Sequence, residues 1–387
     1  VVKSFVNENF ERQKFNKASE ELREDFTAAE RLMALNSPFM NFTIYVLFVF
    51  ILYFGSYLIV SSQGTAFGVG QLSSLITYGF MMLMALMMLS FVFAMIIIAE
   101  EGARRICEVL LATSTINNPE NPLTEVTDGS IDFENVGFSY SGPEGREALS
   151  GVDLHINSGE VIGIIGGTGS AKSTLVQLIP RLYDVTAGSV SVGGHDVKDY
   201  DIDTLRGAVA MVLQKNVLFS GTIKENLLWG NPDATDEEIL EAARLAQADS
   251  FVQTFPDKYE THIEQGGNNV SGGQKQRLCI ARALLRRPKV LILDDSTSAV
   301  DTKTDSLIRS GLKDFLPDTT KIIIAQRTSS IEESDKIIVL DNGRVNAIGT
   351  HEELLKDNPI YREVYFSQNK QSVDENQSQE GEVTSHE

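Results

Sequence analysis

The clearest indication of the fold comes from Val161-Ile-Gly-Ile-Ile-Gly-Gly-Thr-Gly-Ser-Ala-Lys-Ser-Thr174, written VIGIIGGTGSAKST. Its first six residues form a short apolar run, which is typical of a strand buried on both faces of a parallel sheet. Glycines then occupy positions 166, 167 and 169, and the apolar pattern TLVQLI that follows is helical. The stretch therefore predicts a strand, a glycine-rich turn and a helix in immediate succession, as in α/β folds.

The turn has the form GxxxxGK[ST] at every position except one. Consecutive backbone N–H groups and the N-terminus of the following helix bind phosphate groups in such a turn. Lys172 is predicted to place its ammonium on the outer phosphates of a nucleotide, and the hydroxyl of Ser173 to ligate Mg²⁺. The predicted nucleotide-binding residues of this stretch are Gly166, Gly167, Thr168, Gly169, Ser170, Ala171, Lys172, Ser173 and Thr174.

Ala171 is the exception, since it stands where the pattern has its last glycine. A methyl group at this point lies beside backbone that must approach the phosphates closely, so it would crowd the ligand. A helix-like backbone would tolerate the methyl group, and the sequence therefore leaves nucleotide binding open at this position.

A second apolar run, LILDD from Leu291 to Asp295, ends in two adjacent carboxylates. A buried strand of this kind delivers acidic groups to a metal–nucleotide site. Asp294 is predicted to hold Mg²⁺ through its water shell. Asp295 occupies the position that normally carries the carboxylate that polarises the attacking water. Other short apolar strands alternate with helical stretches from Ile131 onward, which predicts a largely parallel sheet covered on both faces.

The composition divides the 387 residues into two unlike parts. A net charge of −20, from 33 Lys and Arg against 53 Asp and Glu, argues against a nucleic-acid-binding protein, which needs a basic face. Cys107 and Cys279 are too isolated for a metal site and are predicted to be reduced thiols. Between Leu32 and Ala99 the sequence has neither a charged residue nor a histidine. One very apolar segment thus precedes a soluble domain of ordinary composition.

The apolar segment follows a polar helical stretch and contains two runs long enough to cross a bilayer, at about residues 39–60 and 71–99. A buried helix of a soluble protein would explain one such run alone, but not two in tandem without a charge between them. Basic residues precede the first run and follow the second, which places both ends in the cytoplasm. These residues are Arg23, Arg31, Arg104 and Arg105. A multi-pass protein of the cell membrane is therefore predicted.

The sequence VSGGQKQR, from Val270 to Arg277, resembles the signature motif of ATP-binding cassette (ABC) proteins, whose usual form is LSGGQ. The glycine-rich turn precedes it and LILDD follows it at separations similar to those of this family. The resemblance implies ATP as the nucleotide, with Mg²⁺. It also implies that a helix N-terminus meets the γ-phosphate of an ATP held by an opposing subunit. The signature residues are Val270, Ser271, Gly272, Gly273 and Gln274.

Other positions resemble functional residues of the same family. Tyr140 resembles the aromatic residue that stacks on adenine, and Gln214 resembles the glutamine that touches the metal and senses the membrane domain. The segment EQGGNN, residues 264–269, resembles the exporter loop that contacts the coupling helices. The loop that crosses the dimer interface is matched by Ser298, Ala299, Val300 and Asp301. The implied metal ligands are Ser173, Gln214 and Asp294.

The resemblance covers nearly the whole chain and implies its fold class. Residues 1–117 resemble the C-terminal part of an exporter transmembrane domain, with the last two of the family's six membrane helices. After a linker at residues 118–128, residues 129–366 resemble an ABC ATP-binding domain, an α/β P-loop domain with a RecA-like core and a helical subdomain. Residues 367–387 are predicted to form a disordered tail. Without counterparts of the first four helices, the sequence is interpreted as a fragment of a half-transporter.

Two positions depart from the family at the predicted catalytic site. Asp295 replaces the usual glutamate, and Gln326 replaces the usual histidine. Aspartate is one methylene shorter, and glutamine neither carries the charge nor exchanges protons as imidazole does. Together with Ala171, these changes predict a slow ATP site, whereas the intact signature would complete a competent site on a partner. The chain thus resembles the degenerate half of a heterodimeric exporter, beside a half-transporter that carries Glu and His.

The predicted function is ATP-driven export of hydrophobic or amphipathic small molecules, such as drugs. The spans are rich in aromatic residues and methionines, which suit varied apolar ligands, although lipid contact and helix packing explain the same residues. Two alternatives stay open: an ATP-binding regulatory half without hydrolysis, and a homodimeric exporter of lipid or peptide. The fused spans argue against a soluble ABC ATPase acting on nucleic acid and against an importer ATPase on a separate chain.

Overall fold

A computed structural model describes residues 2–368 except 64, 66, 144 and 296–299. The chain divides into two compact units, with the division after Thr113. The first unit is a pair of long helices, and the second contains both strands and helices. The division follows the change in composition from an uncharged apolar segment to a domain of ordinary polarity.

The first unit consists of helix α1, Glu8–Ser61, and helix α2, Val69–Leu110. Within them, Pro38–Ser61 and Val69–Leu110 are long and apolar enough to cross a membrane, and they contain 18-residue stretches with mean hydropathies of 2.2 and 2.7. Both predicted spans lie inside these segments. α1 joins the polar stretch to the first span as one helix and continues through Pro38, which lacks the N–H of one helical hydrogen bond.

Glycines lie where the two helices approach each other. Gly55 of α1 and Gly79 of α2 are buried in the pair. A Cβ atom on Gly55 would lie 2.5 Å from Cδ1 of Leu72, and one on Gly79 would lie 3.1 Å from Cε1 of Phe48. Small residues that admit a neighbour in this way are typical of helices packed in membranes.

The second unit alternates strands with helices. Its strands are β1 Ile131–Phe138, β2 Leu149–Ile156, β3 Val161–Gly166, β4 Ala187–Val192, β5 His195–Asp196, β6 Val209–Val212, β7 Gly221–Thr222, β8 His262–Ile263, β9 Val290–Asp294, β10 Thr320–Ile324, β11 Lys336–Asp341 and β12 Arg344–Gly349. Its helices are α3 Lys172–Leu178, α4 Ile202–Ala208, α5 Ile223–Leu228, α6 Asp236–Leu245, α7 Asp249–Val252, α8 Gly272–Leu284, α9 Thr302–Phe315, α10 His351–Asp357 and α11, residues 359–368. Short 3₁₀ turns occupy Lys258–Glu260, Gln265–Gly267 and Thr328–Ser330.

The main sheet has the strand order β12-β11-β3-β10-β9-β6. The strands from β11 to β6 run parallel, and β12 pairs antiparallel with β11 at one edge. A second, antiparallel sheet has the order β2-β1-β4-β5, and β7 pairs with β8. The predicted largely parallel sheet is therefore present, and the antiparallel sheet is an addition that the sequence reasoning did not specify.

Two apolar cores cover the opposite faces of the main sheet. One core joins Ile162 and Ile164 of β3 to strands β1, β2 and β4. The other joins Ile165 of β3, with Leu291 and Leu293 of β9, to helices α5, α6 and α8. Successive side chains of a strand point to opposite faces, so each strand must be apolar throughout. This explains the continuous apolar runs in the sequence.

The segments at both ends of the α/β domain are held by specific contacts. Nδ2 of Asn118, in the predicted linker, donates to Oδ1 of Asp201 at 2.6 Å. Oδ1 of Asn118 accepts from the N–H of Ile202 at 2.9 Å. Helix α11 extends to Gln368, so the first two residues of the predicted tail are helical, and the rest of that tail lies outside the described residues.

Candidate functional site

The candidate site lies where the parallel strands of the main sheet end. β3 ends at Gly166 and β9 at Asp294, and the chain just beyond β6 and β10 reaches Gln214 and Gln326. These strands are parallel neighbours in the order β3-β10-β9-β6, so their carboxyl ends share one edge. Ligands of open α/β sheets bind at this edge. The topology thus gathers residues that are far apart in sequence.

A cavity of about 980 Å³ opens at this edge, a volume within the range of small-molecule sites. Most of the predicted nucleotide site lines it: Tyr140, Gly166, Gly167, Thr168, Gly169, Ala171, Lys172, Ser173, Thr174, Gln214, Asp294, Asp295 and Gln326. Ser170 lies behind this surface and is 4% exposed.

Lys172 lies at the centre of the glycine-rich turn. Its Nζ donates to the carbonyl oxygens of Gly166 and Gly167, both at 2.8 Å, and to the hydroxyl of Ser170 at 3.3 Å. Burial lowers the pKa of Lys172, against the attraction of the two carboxylates at the end of β9. The carbonyl oxygens of the turn therefore bind the ammonium of Lys172, and the phosphates of a nucleotide would compete with them for it.

Ala171 has φ +71° and ψ 25°, which is a left-handed conformation. The sequence left a helix-like backbone open at this position, and the structure excludes it. Ala171 immediately precedes α3. A left-handed backbone costs an L-residue about 1 kcal/mol, whereas glycine adopts it freely. The missing glycine therefore creates backbone strain inside the turn.

Asp294 ends β9 in a buried position, 5% exposed. Burial raises the pKa of its carboxyl, while a hydrogen bond from the Ser173 hydroxyl and the charge of Lys172 lower it. Two of the three predicted metal ligands are thus in direct contact, and the third, Gln214, lines the same cavity.

Two side-chain amides hold the carboxylate of Asp295. Nε2 of Gln326 donates to Oδ2 at 2.8 Å, and Nε2 of Gln214 donates to the same oxygen at 3.2 Å. Asp295 has φ +47°, and its N–H donates to the carbonyl of Ile324 at 2.9 Å. Burial raises the pKa of Asp295 and adjacent Asp294 adds to this, while the two amides lower it. The two predicted catalytic residues, Asp295 and Gln326, are therefore in contact.

Tyr140 borders the cavity and is 56% exposed. Its hydroxyl lies 3.0 Å from Oγ1 of Thr174, and its ring packs edge-on against Phe138 and Tyr183. The exposed ring offers a flat apolar surface to a base at the mouth of the cavity. Tyr183, which the sequence reasoning did not single out, supports that ring from the side at a centroid distance of 5.2 Å.

The signature segment stands at a helix N-terminus. Ser271 caps α8, with its Oγ accepting from the N–H of Gln274 at 3.3 Å and its N–H donating to Oε1 of Gln274 at 2.9 Å. Gly272 and Gly273 form the first turn, where the helix dipole favours an anion. Among the residues that the structure describes, Val270–Gln274 lie outside the lining of the cavity.

The predicted interface loop is described only in part, because Ser298 and Ala299 lie outside the described residues. Val300 is buried, and Asp301 caps α9 by accepting from the N–H of Thr304 at 3.0 Å. This bond is the main reason that the pKa of Asp301 is lowered. The described half of the loop is thus a helix start.

The loop at residues 264–269 is fixed by polar side chains. Asn269 closes it, accepting from the N–H of Glu264 at 3.0 Å and donating to the carbonyl of His262 at 2.8 Å. Nζ of Lys275 in α8 donates to the carbonyl of Gly266 at 2.6 Å. The loop that resembles the exporter coupling loop is thereby tied to the helix that begins at the signature.

Nine further residues line the cavity that the sequence patterns did not predict: Ser141, Arg146, Glu147, Ala148, Ile165, Ile324, Asn342, Gly343 and Val364. Arg146 and Glu147 lie between β1 and β2, in the loop that follows Tyr140. The sequence could have indicated this loop, because it directly follows Tyr140, a predicted site residue. Asn342 and Gly343 turn from β11 to β12, and Val364 belongs to α11, so packing of the C-terminal elements brings them in without a local signal.

Two family models match the chain. The ABC transporter model matches residues 149–298, and the model of the ABC transporter transmembrane region matches residues 1–86. Together they fall on both units that the structure separates. The predicted fusion of a helical membrane region with an ABC nucleotide-binding domain is therefore confirmed.

Relatives and solved structures give the same result. An uncharacterized ABC transporter ATP-binding protein of Mycobacterium tuberculosis is 41% identical over 373 residues, which are 95% of this chain and 63% of that protein. A putative multidrug export ATP-binding/permease protein of Staphylococcus aureus is 44% identical over 245 residues, which are 63% of this chain and 42% of that protein. The structure of a bacterial Atm1-family ABC exporter with ATP bound matches with a TM-score of 0.85 and 30% identity, over 95% of this chain and 64% of that one.

The chain spans less than two thirds of the length of the mycobacterial relative and of the exporter structure. Over that length, the match includes the long helices as well as the domain that carries the cavity. The chain therefore joins part of an ABC transporter transmembrane region to an ABC transporter ATP-binding domain, which belongs to an ATPase family.

Proposed function

We propose that the chain forms half of an ATP-driven exporter and that its own ATP site works slowly. The observation that carries this proposal is the carboxylate of Asp295, bound through one oxygen by Gln326 and Gln214 at 2.8 and 3.2 Å. Aspartate reaches less far than the glutamate usual at this position. A displacement of about 1 Å from the attacking water costs roughly a hundredfold in rate.

Gln326 limits the same site in a second way. Its amide donates a hydrogen bond but does not ionise between pH 5 and 8 as an imidazole does. Its Nε2 is already engaged with Asp295 at 2.8 Å. The pair can orient a water molecule beside the γ-phosphate but exchanges protons with it poorly. A site of this kind holds ATP for longer than it takes an ordinary site to cleave it.

The residues around Asp294 fit a magnesium–nucleotide complex. The hydroxyl of Ser173, the carboxylate of Asp294 and the amide oxygen of Gln214 are the oxygen donors that Mg²⁺ prefers. Ser173 and Asp294 are hydrogen-bonded to each other, so one ion can meet both. When bound, the metal would neutralise charge on the phosphates. Lys172 and the N–H groups of the turn would bind the phosphates directly.

The signature segment supports a division of labour between two subunits. Ser271 caps α8 with two glycines behind it, and the segment lies outside the lining of the chain's own cavity. It would complete a competent ATP site on a half-transporter that carries Glu and His. ATP would close the two cassettes head to tail, and hydrolysis on the partner would reopen them. Gln214 and the loop at residues 264–269 would transmit this motion to the membrane helices.

The transported molecule is proposed to be hydrophobic or amphipathic, of the kind that multidrug exporters carry. α1 and α2 expose aromatic and methionine side chains along their apolar segments, among them Tyr53, Met82 and Met88. Such side chains adapt to ligands of varied shape. The S. aureus relative is named a putative multidrug export protein, which favours the same class.

Restoring the usual residues tests the slow site. The pair is assembled with the partner's catalytic glutamate replaced by glutamine, so that turnover reports this chain's site. Asp295→Glu with Gln326→His should then raise ATP hydrolysis by about tenfold or more, since both restore groups that act on the attacking water. Asp233→Glu, at an exposed loop, is the matched control and should leave the rate unchanged.

Two results would contradict the proposal. If purified homodimers of the full-length protein hydrolyse ATP at the rate of the mixed pair, there is no division of labour. The second contradicting result is radiolabelled ATP that stays uncleaved in this site until it dissociates, as the regulatory alternative expects. A slow site instead yields ADP within the complex. A chase experiment on the same pair separates these outcomes.

A further inference from the structure

The last described residue of the chain contacts the segment that carries Gln326. Nε2 of Gln368 donates to the carbonyl oxygen of Gln326 at 2.7 Å. Oε1 of Gln368 accepts from the N–H of Thr328 at 2.9 Å and from its hydroxyl at 3.2 Å. One amide thus satisfies a carbonyl and an N–H two residues apart, as a neighbouring strand would do in a sheet.

These contacts bear on the candidate catalytic pair. Gln326 follows β10 and is the residue whose Nε2 reaches Asp295 at 2.8 Å. Thr328, which is 2% exposed, begins the 3₁₀ turn beyond it. Gln368 therefore holds the main chain on the C-terminal side of Gln326, while β10 holds it on the other side. Gln368 and β10 together fix the main chain from which the Gln326 side chain extends to Asp295.

Buried contacts fix helix α11, which carries Gln368 at its end. Tyr361 is fully buried, and its hydroxyl lies 2.7 Å from Nδ1 of His351 in α10. The N–H of Tyr361 donates to Oδ1 of Asn358 at 2.8 Å at the start of the helix. Val364, one turn before Gln368, lines the nucleotide cavity. The helix is thus anchored beside the site before it reaches the Gln326 segment.

We propose that Gln368 is a positioning residue, which aligns Gln326 against Asp295 from outside the nucleotide cavity. The proposal rests on the proposed function, since it concerns turnover at this chain's own ATP site. It makes the end of α11 a part of the hydrolytic machinery, although Gln368 is not among the described residues that line the nucleotide cavity and its hydrogen bonds go to Gln326 and Thr328.

The test uses the assembled full-length pair with the partner's catalytic glutamate replaced by glutamine. Gln368→Met removes both polar contacts, and Gln368→Glu keeps an acceptor for Thr328 but places an oxygen against the carbonyl of Gln326. Both substitutions remove hydrogen bonds that position Gln326 for hydrolysis, so kcat should fall roughly three- to tenfold while KM for ATP stays unchanged. Glu363→Gln, exposed on the same helix, is the matched control and should have no effect.

A second background separates positioning from general stability. In a Gln326→Ala chain, Gln368→Met should cause no further loss of kcat, because the side chain that it aligns is gone. An equal loss in both backgrounds, or no loss in either, overturns the proposal, and Gln368→Glu decides the matter if Gln368→Met does not fold. Rapid turnover of the unmodified chain would overturn the slow site instead, and the effect of Gln368 would still be read from the same variants.

Discussion

At the scale of single residues, Ala171 places a side chain on backbone that suits glycine. Its backbone has φ +71°, a left-handed conformation that L-residues avoid. Gly169, two positions earlier, has φ +81°, so the turn needs two such residues and has glycine at only one of them. The strain is local, because the turn still positions Lys172 at its centre.

Ala171→Gly should stabilise the ATP-binding domain. Relief of the left-handed strain outweighs the extra freedom of glycine in the unfolded chain, so we expect a net gain of about 0.5 kcal/mol. ATP should also bind more tightly, since the methyl group leaves the phosphate loop. Thermal unfolding with and without ATP measures both effects. Ala242→Gly, in the helical α6, is the control and should lose about 1 kcal/mol; an equal loss at position 171 would refute the strain.

Among the elements, local sequence patterns predict individual strands and helices but not the order of the strands in the sheet. β3, the turn, α3 and β9 follow from apolar runs and glycine spacing, and the helix start at Ser271 follows from the signature. The position of β10 between β3 and β9 depends on packing over the whole domain. That position is what brings Gln326 to Asp295. The contact of Gln368 with Thr328 is likewise invisible in sequence, because it joins two elements without a motif.

The chain just after α5 lies very close to the backbone of α8. Gly230 follows α5, and a Cβ atom there would collide with the carbonyl oxygen of Arg282 in α8. Backbone cannot move aside as a flexible side chain can. Gly230→Ala should therefore destabilise the domain by about 2 kcal/mol, as overpacked cores do.

Thermal unfolding of the Gly230→Ala protein measures this loss. Gly207→Ala in α4 is the matched control, because a Cβ atom there has only Arg286 nearby, at 3.9 Å. That change should be neutral or slightly stabilising, since alanine favours a helix over glycine. If both variants unfold at the temperature of the parent protein, the contact with α8 does not restrict position 230.

At the scale of the whole molecule, the two cysteines report the membrane orientation. Cys107 lies exposed near the end of α2, beyond the predicted span and next to Arg104 and Arg105. Cys279 is buried, and burial raises the pKa of its thiol, so it should react slowly. With both ends in the cytoplasm, an impermeant maleimide should label the protein in inside-out vesicles but not in intact cells.

Substitution of each cysteine assigns that labelling within residues 1–387. The peptide that contains Cys107 should carry the label in the Cys279→Ser protein, and no peptide of these residues should carry it in the Cys107→Ser protein until that protein is denatured. Labelling of Cys107 in intact cells would place the end of α2 outside and would contradict the orientation read from the basic residues.

Because α2 is long, a small tilt of this helix moves its end by a large distance. Its 42 residues form one rod of about 63 Å, twice the thickness of the roughly 30 Å hydrocarbon layer that it would cross. Pivoting such a rod by about 10° about one tip swings the other tip through roughly 11 Å. A tilt of this size at one end of α2 therefore becomes, at the other end, a displacement about as wide as a small drug molecule.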